Sequence, residues 1–424
     1  MSEFRLTTVE EFEAATARLL ETGAKVGADS WQARVKNQTP HCKFGEEGIC
    51  CRICTMGPCR ITKKAPRGIC GCDVHGIVGR NYLKFTAGGA ATHSDHGREI
   101  CHTLYASAAD GCYKVKDPDK LIRIAKEWGI ETEGKDIYDL AHEVAYEGLM
   151  EYGKPFGTQR FLKRAPESQQ KLWEENELAP RAIDREVSCS LHMAHMGCSS
   201  KPEALVKQSI RAGLSDGWGG SMMGTEFSDV LFGTPKPVET EANLGVMVEE
   251  NVNIVVHGHD PSLSEMICEV ADSPEMIAYA KEMGAKGITI SGVCCTSNEV
   301  AMRRGIPMAG NFLQQENVVL TGACEAIVVD VQCIFPALGP LSKCFHTKFI
   351  TTSPIAQMPD SEFIRFDAHS ALEKATQIVK LAIENFKNRK PELVYIPQMK
   401  QKATVGYSTE AIVKALDGVA NTQV

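Results

Sequence analysis

Seven of the chain's 17 cysteines fall between Cys42 and Cys72, in HCKFGEEGICCRICTMGPCRI and then PRGICGC. Cys51-x2-Cys54-x4-Cys59 with a later Cys70 presents four thiolates from tight loops, a usual way to hold a cubane iron–sulfur cluster. Gly57-Pro58 and Pro66-Arg67-Gly68 force turns, and turns leave backbone N–H groups free for cluster sulfides. Cys42 and Cys50 are then left over. A structural zinc site would use four of the seven and explain the others poorly, and disulfides fit a chain this rich in thiols even less.

Composition enters at this point. So many thiols, no signal peptide and no apolar run long enough to span a bilayer place the chain, as an expectation, in a reducing and cytoplasmic setting. At 424 residues it exceeds one compact core, so two or three domains are expected. A net charge of −8 carries no basic footprint and excludes nucleic acid as an expected partner.

The organisation changes near Gly245. Before it, apolar residues recur at helical spacing over Val9–Thr22, Asp119–Trp128, Ile137–Tyr152, Gln169–Leu178, Pro202–Ala212 and Thr225–Leu231. After it, short β-rich runs (253–256, 287–291, 326–330, 348–352 and 363–366) alternate with helical segments, chiefly Ser262–Met283 and Ser370–Lys387. The expected fold is α + α/β. An all-α domain over 1–244 carries the iron–sulfur loops, a Rossmann-like doubly wound α/β domain covers 245–390, and a tail over 391–424 holds a short helix. Sites in such a sheet lie where strands end. His257 and His259 follow the first run, Cys294 and Cys295 the second, and Cys333 the third.

Beyond the cysteines, the stretches GGAATHSDHGREICHT, MGCSS, DVLFGTPKPVETEANLGV, VHGHDPSLSEMI, GVCCTSNEVAMRRGIP and DVQCIFP carry a resemblance. From about Cys42 to about Leu416 the chain is similar to the nickel-dependent carbon monoxide dehydrogenases of anaerobes, relatives of the hybrid-cluster proteins. The resemblance implies a homodimer bridged by a 4Fe–4S cluster on Cys42 and Cys50. It implies a second 4Fe–4S cluster in each subunit on Cys51, Cys54, Cys59 and Cys70. A nickel–iron–sulfur active-site cluster would be held by His259, Cys295 and Cys333, with Cys294 as a close neighbour. Carbon monoxide and water would be the substrates, and a ferredoxin-like protein would carry electrons away.

The resemblance also implies a proton relay on histidines matching His93, His96 and His102, with His93 nearest the chemistry. His93 and His96 are spaced i, i+3, and the expectation is one helix presenting all three on a shared face. Glu99 stands where the family usually has another histidine. A second α/β domain with three more cysteine ligands and a lysine is part of the family pattern. Reading Val424 as the end, with no cysteine after Cys344, leaves three ligands where six are required, a shortened form with an incomplete or modified cluster and slow or absent CO oxidation. Cys294, Cys324, Cys344, Cys189, Cys198 or a partner chain are the candidates for completing it. Cys101, Cys112 and Cys268 read as buried small hydrophobes, Cys72 as a bystander and His257 as a hydrogen-bonded strand-end histidine. Two other functions stay open: a hybrid-cluster-like reductase of a small molecule, and a non-catalytic electron-transfer or assembly subunit.

Overall fold

Apolar positions repeat with a helical period before about residue 230 and form continuous runs of strand length after it, and the two halves fold accordingly. The computed structural model describes residues 8–110 and 113–416, so Cys112 lies outside the described residues. Residues 38–109 and 118–230 make one compact unit, and residues up to 37, 110–117 and from 231 onward make the other.

The first unit is helical except for a hairpin, β1 (Cys50–Cys51) and β2 (Cys59–Arg60), that sets Cys51 opposite Cys59. Its spine is the 37-residue helix Val74–Asp110. Leu83, Ala87, Ala90, Ser94, Gly97, Cys101 and Leu104 form a buried stripe along it at steps of three and four, the spacing of a single helix face. Helix Pro202–Ser215 continues through a π turn, Asp216–Gly220, into helix Ser221–Phe232. Glycines let that turn lie against the long helix. A Cβ on Gly97 would stand 2.2 Å from the Gly220 carbonyl oxygen, and one on Gly220 would stand 2.3 Å from Ser94 Cα. Helix Ile183–Ala194 was not expected, because its buried face alternates Ile183 and Ala194 with Glu186 and Ser190. Glu186 is held there by Arg181 at 2.7 Å and Gln208 at 3.1 Å.

In the second unit, β3 (Val238–Ala242), β4 (Val252–Gly258), β5 (Ile288–Val293), β6 (Met308–Gly310), β7 (Cys324–Val329), β8 (Lys348–Thr351), β9 (Glu362–Phe363) and β10 (Gln401–Val405) make one sheet. Their order is β10-β3-β6-β5-β4-β7-β8-β9, parallel throughout except for the β10–β3 pair. The five expected strands are β4, β5, β7, β8 and β9. β3, β6 and β10 are additions, two of them half-exposed at one edge. One crossover helix was expected over 262–283, but there are two, Pro261–Ala271 and Pro274–Glu282, each started by a capping side chain followed by proline.

The compact units are divided differently from the expected 1–244 and 245–390. The N-terminal helix Val9–Lys25 buries Leu19 in the core of the sheet unit, and a Cβ on its Gly23 would meet Leu320 at 2.6 Å. Glu316 accepts the Trp31 N–H at 2.6 Å and pairs with Arg34, which fixes the segment after that helix. The tail supplies β10 as well as its short helix, Thr409–Ala415.

Candidate metal centre and cysteine cage

Three central strands, β5, β4 and β7, end side by side, and each end delivers one soft donor. β4 ends at Gly258 with φ 131, where a Cβ would lie 2.1 Å from Asp330 Oδ1. Only glycine fits that approach. His259 follows, buried, its backbone N–H donating to Asp330 Oδ1 at 2.5 Å. The Val331 N–H donates to the same oxygen, so one carboxylate ties the β4 end to the β7 end. A parallel bridge between Gly258 and Cys294 ties β4 to β5. The ligand atoms of His259, Cys294 and Cys333 all lie within 4.8 Å of one another.

Backbone strain marks the same spot. Cys294, Gln332 and Cys333 have φ of 67, 69 and 59, a left-handed region that costs a residue with a side chain about 1 kcal/mol or more. Gln315 braces the last of these. Its amide donates to the Cys333 carbonyl at 2.9 Å, and its oxygen accepts from the Phe335 N–H at 2.7 Å while facing His257 Nε2 at 3.1 Å. His257 is therefore a hydrogen-bonded strand-end residue, fully buried, and burial pulls it down to about 4, so it stays neutral.

The thiols share protons. The Cys294 S–H bonded to Cys295 lowers Cys295 and raises Cys294 far above an ordinary thiol. Burial, then the nearby Cys294, pushes Cys333 up to about 11. Asp330 is raised by burial and then by Asp260. Negative charge is resisted at Cys294, Cys333 and Asp330, though not at Cys295, and a bound cation would relieve it. Imidazole with clustered thiolates is a donor set for nickel, iron or zinc, so the residues fit a metal–sulfur group. The tight set contains Cys294, with Cys295 bonded to it rather than inside it. Cys324 is at the opposite end of β7, fully buried and bonded to Ala326 O, and so does not reach this site. Asp330 and Gln315 were not anticipated. For Asp330 the signal was available, an acid ending an apolar strand three residues before a candidate ligand.

In the helical unit, Cys51, Cys54, Cys59 and Cys70 line one cavity, together with Ile77 and Met196. The Ile69 N–H donates to Cys59 Sγ at 3.4 Å, and a Cβ on Gly57 would sit 3.2 Å from the Cys59 nitrogen. Free thiols, turns and an inward N–H suit a cubane. Cys72 is buried at the same cavity, whereas Cys42 is exposed and Cys50 half-buried beside Asn81, which donates to the Cys50 carbonyl at 3.0 Å.

The four residues expected to form a relay, His93, His96, Glu99 and His102, share the unbroken Val74–Asp110 helix but not one face. At 3.6 residues per turn, each step of three rotates the side chain by about 60° backward, so His102 points about 180° from His93. His93 flanks the buried stripe and faces Asp216 of the π turn, Nδ1 to Oδ2 at 3.1 Å. That hydrogen bond raises its proton affinity. Ser221 Oγ donates to the other oxygen of Asp216 at 3.0 Å. His102 and Glu99 are exposed, and His96 is half-buried.

A parallel-dominated α/β sheet whose strand ends converge imidazole and thiols, with a separate four-cysteine cage, offers two donor sets of the kind that metal–sulfur groups use. Residues 49–422 match the Prismane/CO dehydrogenase family, and the chain belongs to it. It is 47% identical over 414 residues to carbon monoxide dehydrogenase 1 of Methanosarcina mazei, covering 96% of this chain and 66% of that one. Identity to carbon monoxide dehydrogenase 1 of Carboxydothermus hydrogenoformans is 45% over 416 residues, 95% of this chain and 64% of that one. A nickel-free carbon monoxide dehydrogenase from Thermococcus sp. AM4 has a similar structure, with a TM-score of 0.93 and 48% identity over 96% of this chain and 65% of that one. The chain thus spans about two thirds of the length of the relatives it matches. No helix among the described residues is long and apolar enough to cross a membrane.

Proposed function

We propose that this chain carries the metal-cluster chemistry of a carbon monoxide dehydrogenase, in which CO and water become CO2, two protons and two electrons. The observation that carries the reading is the convergence of His259, Cys294 and Cys333 within 4.8 Å at three adjacent strand ends. His259, Cys333 and a thiol of the hydrogen-bonded Cys294–Cys295 pair would hold the active-site group. When bound, that nickel–iron–sulfur group supplies the Lewis acid and accepts the electrons.

The chain's own residues do the rest. Asp330 locks the backbone that aims His259, and Gln315 braces the loop that aims Cys333. His93 accepts a proton, helped by Asp216, with His96, Glu99 and His102 as further proton carriers along the helix. Cys51, Cys54, Cys59 and Cys70 would hold a 4Fe–4S cluster, which would supply one-electron transfer. Cys42 and Cys50 would hold a second cluster, shared across the twofold axis of a homodimer, that would supply an exit toward a ferredoxin-like carrier.

The test is metal analysis and CO-dependent viologen reduction on anaerobically purified, nickel-supplemented protein. Nickel should bind beside the iron, and His93→Ala should lower the rate about a hundredfold, the worth of a positioned base. Full iron with no nickel uptake and no response to CO would overturn the reading.

A further inference from the structure

Arg80 sits on the Val74–Asp110 helix and is 3% exposed. Its Nε–H donates to the Ser199 carbonyl at 2.7 Å. Among the described residues no carboxylate lies within ion-pair distance of it, and Asp73, at the start of the same helix, is turned to cap the Gly76 N–H at 2.9 Å. A guanidinium does not give up its proton, and a buried charge without a counter-charge is costly. Arg80 lines the same cavity as Cys51, Cys54, Cys59 and Cys70, whose nearby walls are the apolar Ile77 and Met196. The helix start is also fixed tightly against this region, since a Cβ on Gly76 would stand 2.9 Å from the Ser200 carbonyl oxygen.

We infer that the Arg80 guanidinium is the counter-charge of the cluster held by Cys51, Cys54, Cys59 and Cys70, and that it raises that cluster's reduction potential. The inference rests on the reading that these four cysteines hold a cubane. A cubane with four thiolates is an anion, and reduction adds one more negative charge. A cation held beside it in a low-dielectric pocket stabilises the reduced state more than the oxidised one, so the potential rises. The alternative is that Arg80 only ties the helix to the Ser199 carbonyl. Gln can still donate to that carbonyl without the charge, and Lys keeps the charge without the guanidinium fork.

The experiment is an EPR-monitored titration with dithionite and viologen mediators on the full chain. Wild type, Arg80→Gln, Arg80→Lys and Cys54→Ala are compared, and the relevant signal is the one that Cys54→Ala removes. At the wild-type midpoint, Arg80→Gln should show a reduced-to-oxidised ratio at least tenfold lower, a fall of 59 mV for a one-electron couple. Arg80→Lys should stay within about threefold. Loss of cluster iron in Arg80→Gln alone also supports the inference, because charge is then needed to hold the anion. An unshifted ratio in an iron-replete Arg80→Gln overturns it, as do equal shifts in both variants or loss of the cluster from both. If wild type has no signal or iron that Cys54→Ala removes, the cubane reading itself fails and the inference falls with it.

Discussion

His93 and Asp216 are more than a hundred residues apart, yet the protonation of the first is set by the second. The hydrogen bond raises the folded-state pKa of His93. A group raised in this way contributes stability below its unfolded pKa, near 6.5, and that contribution is lost as pH rises through the folded value. The side chain is half-exposed, so solvent screens the pair and the contribution is modest. Asp216→Asn should bring the His93 titration midpoint, followed by NMR, down toward the ordinary histidine value. It should also remove this part of the stability difference between acid and alkaline pH. A midpoint that stays raised would assign the effect to another group.

Elements rather than single residues aim the donors. Cys333 follows β7 through two left-handed residues, and the helix Gln315–Leu320 holds that turn through one amide. Gln315→Leu would leave the Cys333 carbonyl, the Phe335 N–H and His257 Nε2 without their partner inside the protein. Only His257 among them is fully buried, and an unsatisfied buried group costs about 1–3 kcal/mol, so a loss of about 1–3 kcal/mol is expected in denaturant unfolding. Metal affinity at the strand ends should fall with it. An equally stable variant with unchanged metal binding would show that the strained turn holds itself. Four of the elements that sequence reading missed share one cause. Helix Ile183–Ala194 has a polar buried face, and β3, β6 and β10 are short or half-exposed, so none carries a clean apolar period.

At the scale of the whole molecule, assembly is the property to test. Cys42 is exposed and Cys50 half-buried, positions open to a second copy. If they hold a cluster shared across a twofold axis, a double Cys42→Ser, Cys50→Ser variant should lose about two irons per chain, half of one cubane. The cage on Cys51, Cys54, Cys59 and Cys70 should keep its spectrum. Unchanged iron in that variant would remove Cys42 and Cys50 from the assembly.

Spacing alone singled out Cys51, Cys54, Cys59 and Cys70, because cluster ligands sit on one short loop and local turns suffice to gather them. The strand runs likewise placed His259, Cys294, Cys295 and Cys333 at strand ends, since buried parallel strands are legible as continuous apolar stretches. Tertiary structure decided what local pattern cannot encode. It put Cys294 in the tight set and Cys295 beside it, through a left-handed turn that a residue count does not show. The opposite faces of His93 and His102, by contrast, follow from helical pitch and their nine-residue spacing alone. Tertiary structure also recruited Asp216, Asp330, Gln315 and Arg80, whose partners meet them only when each unit folds. Metal-ligand spacing is a local property, whereas the charges and hydrogen bonds that tune a ligand arrive from wherever packing brings them.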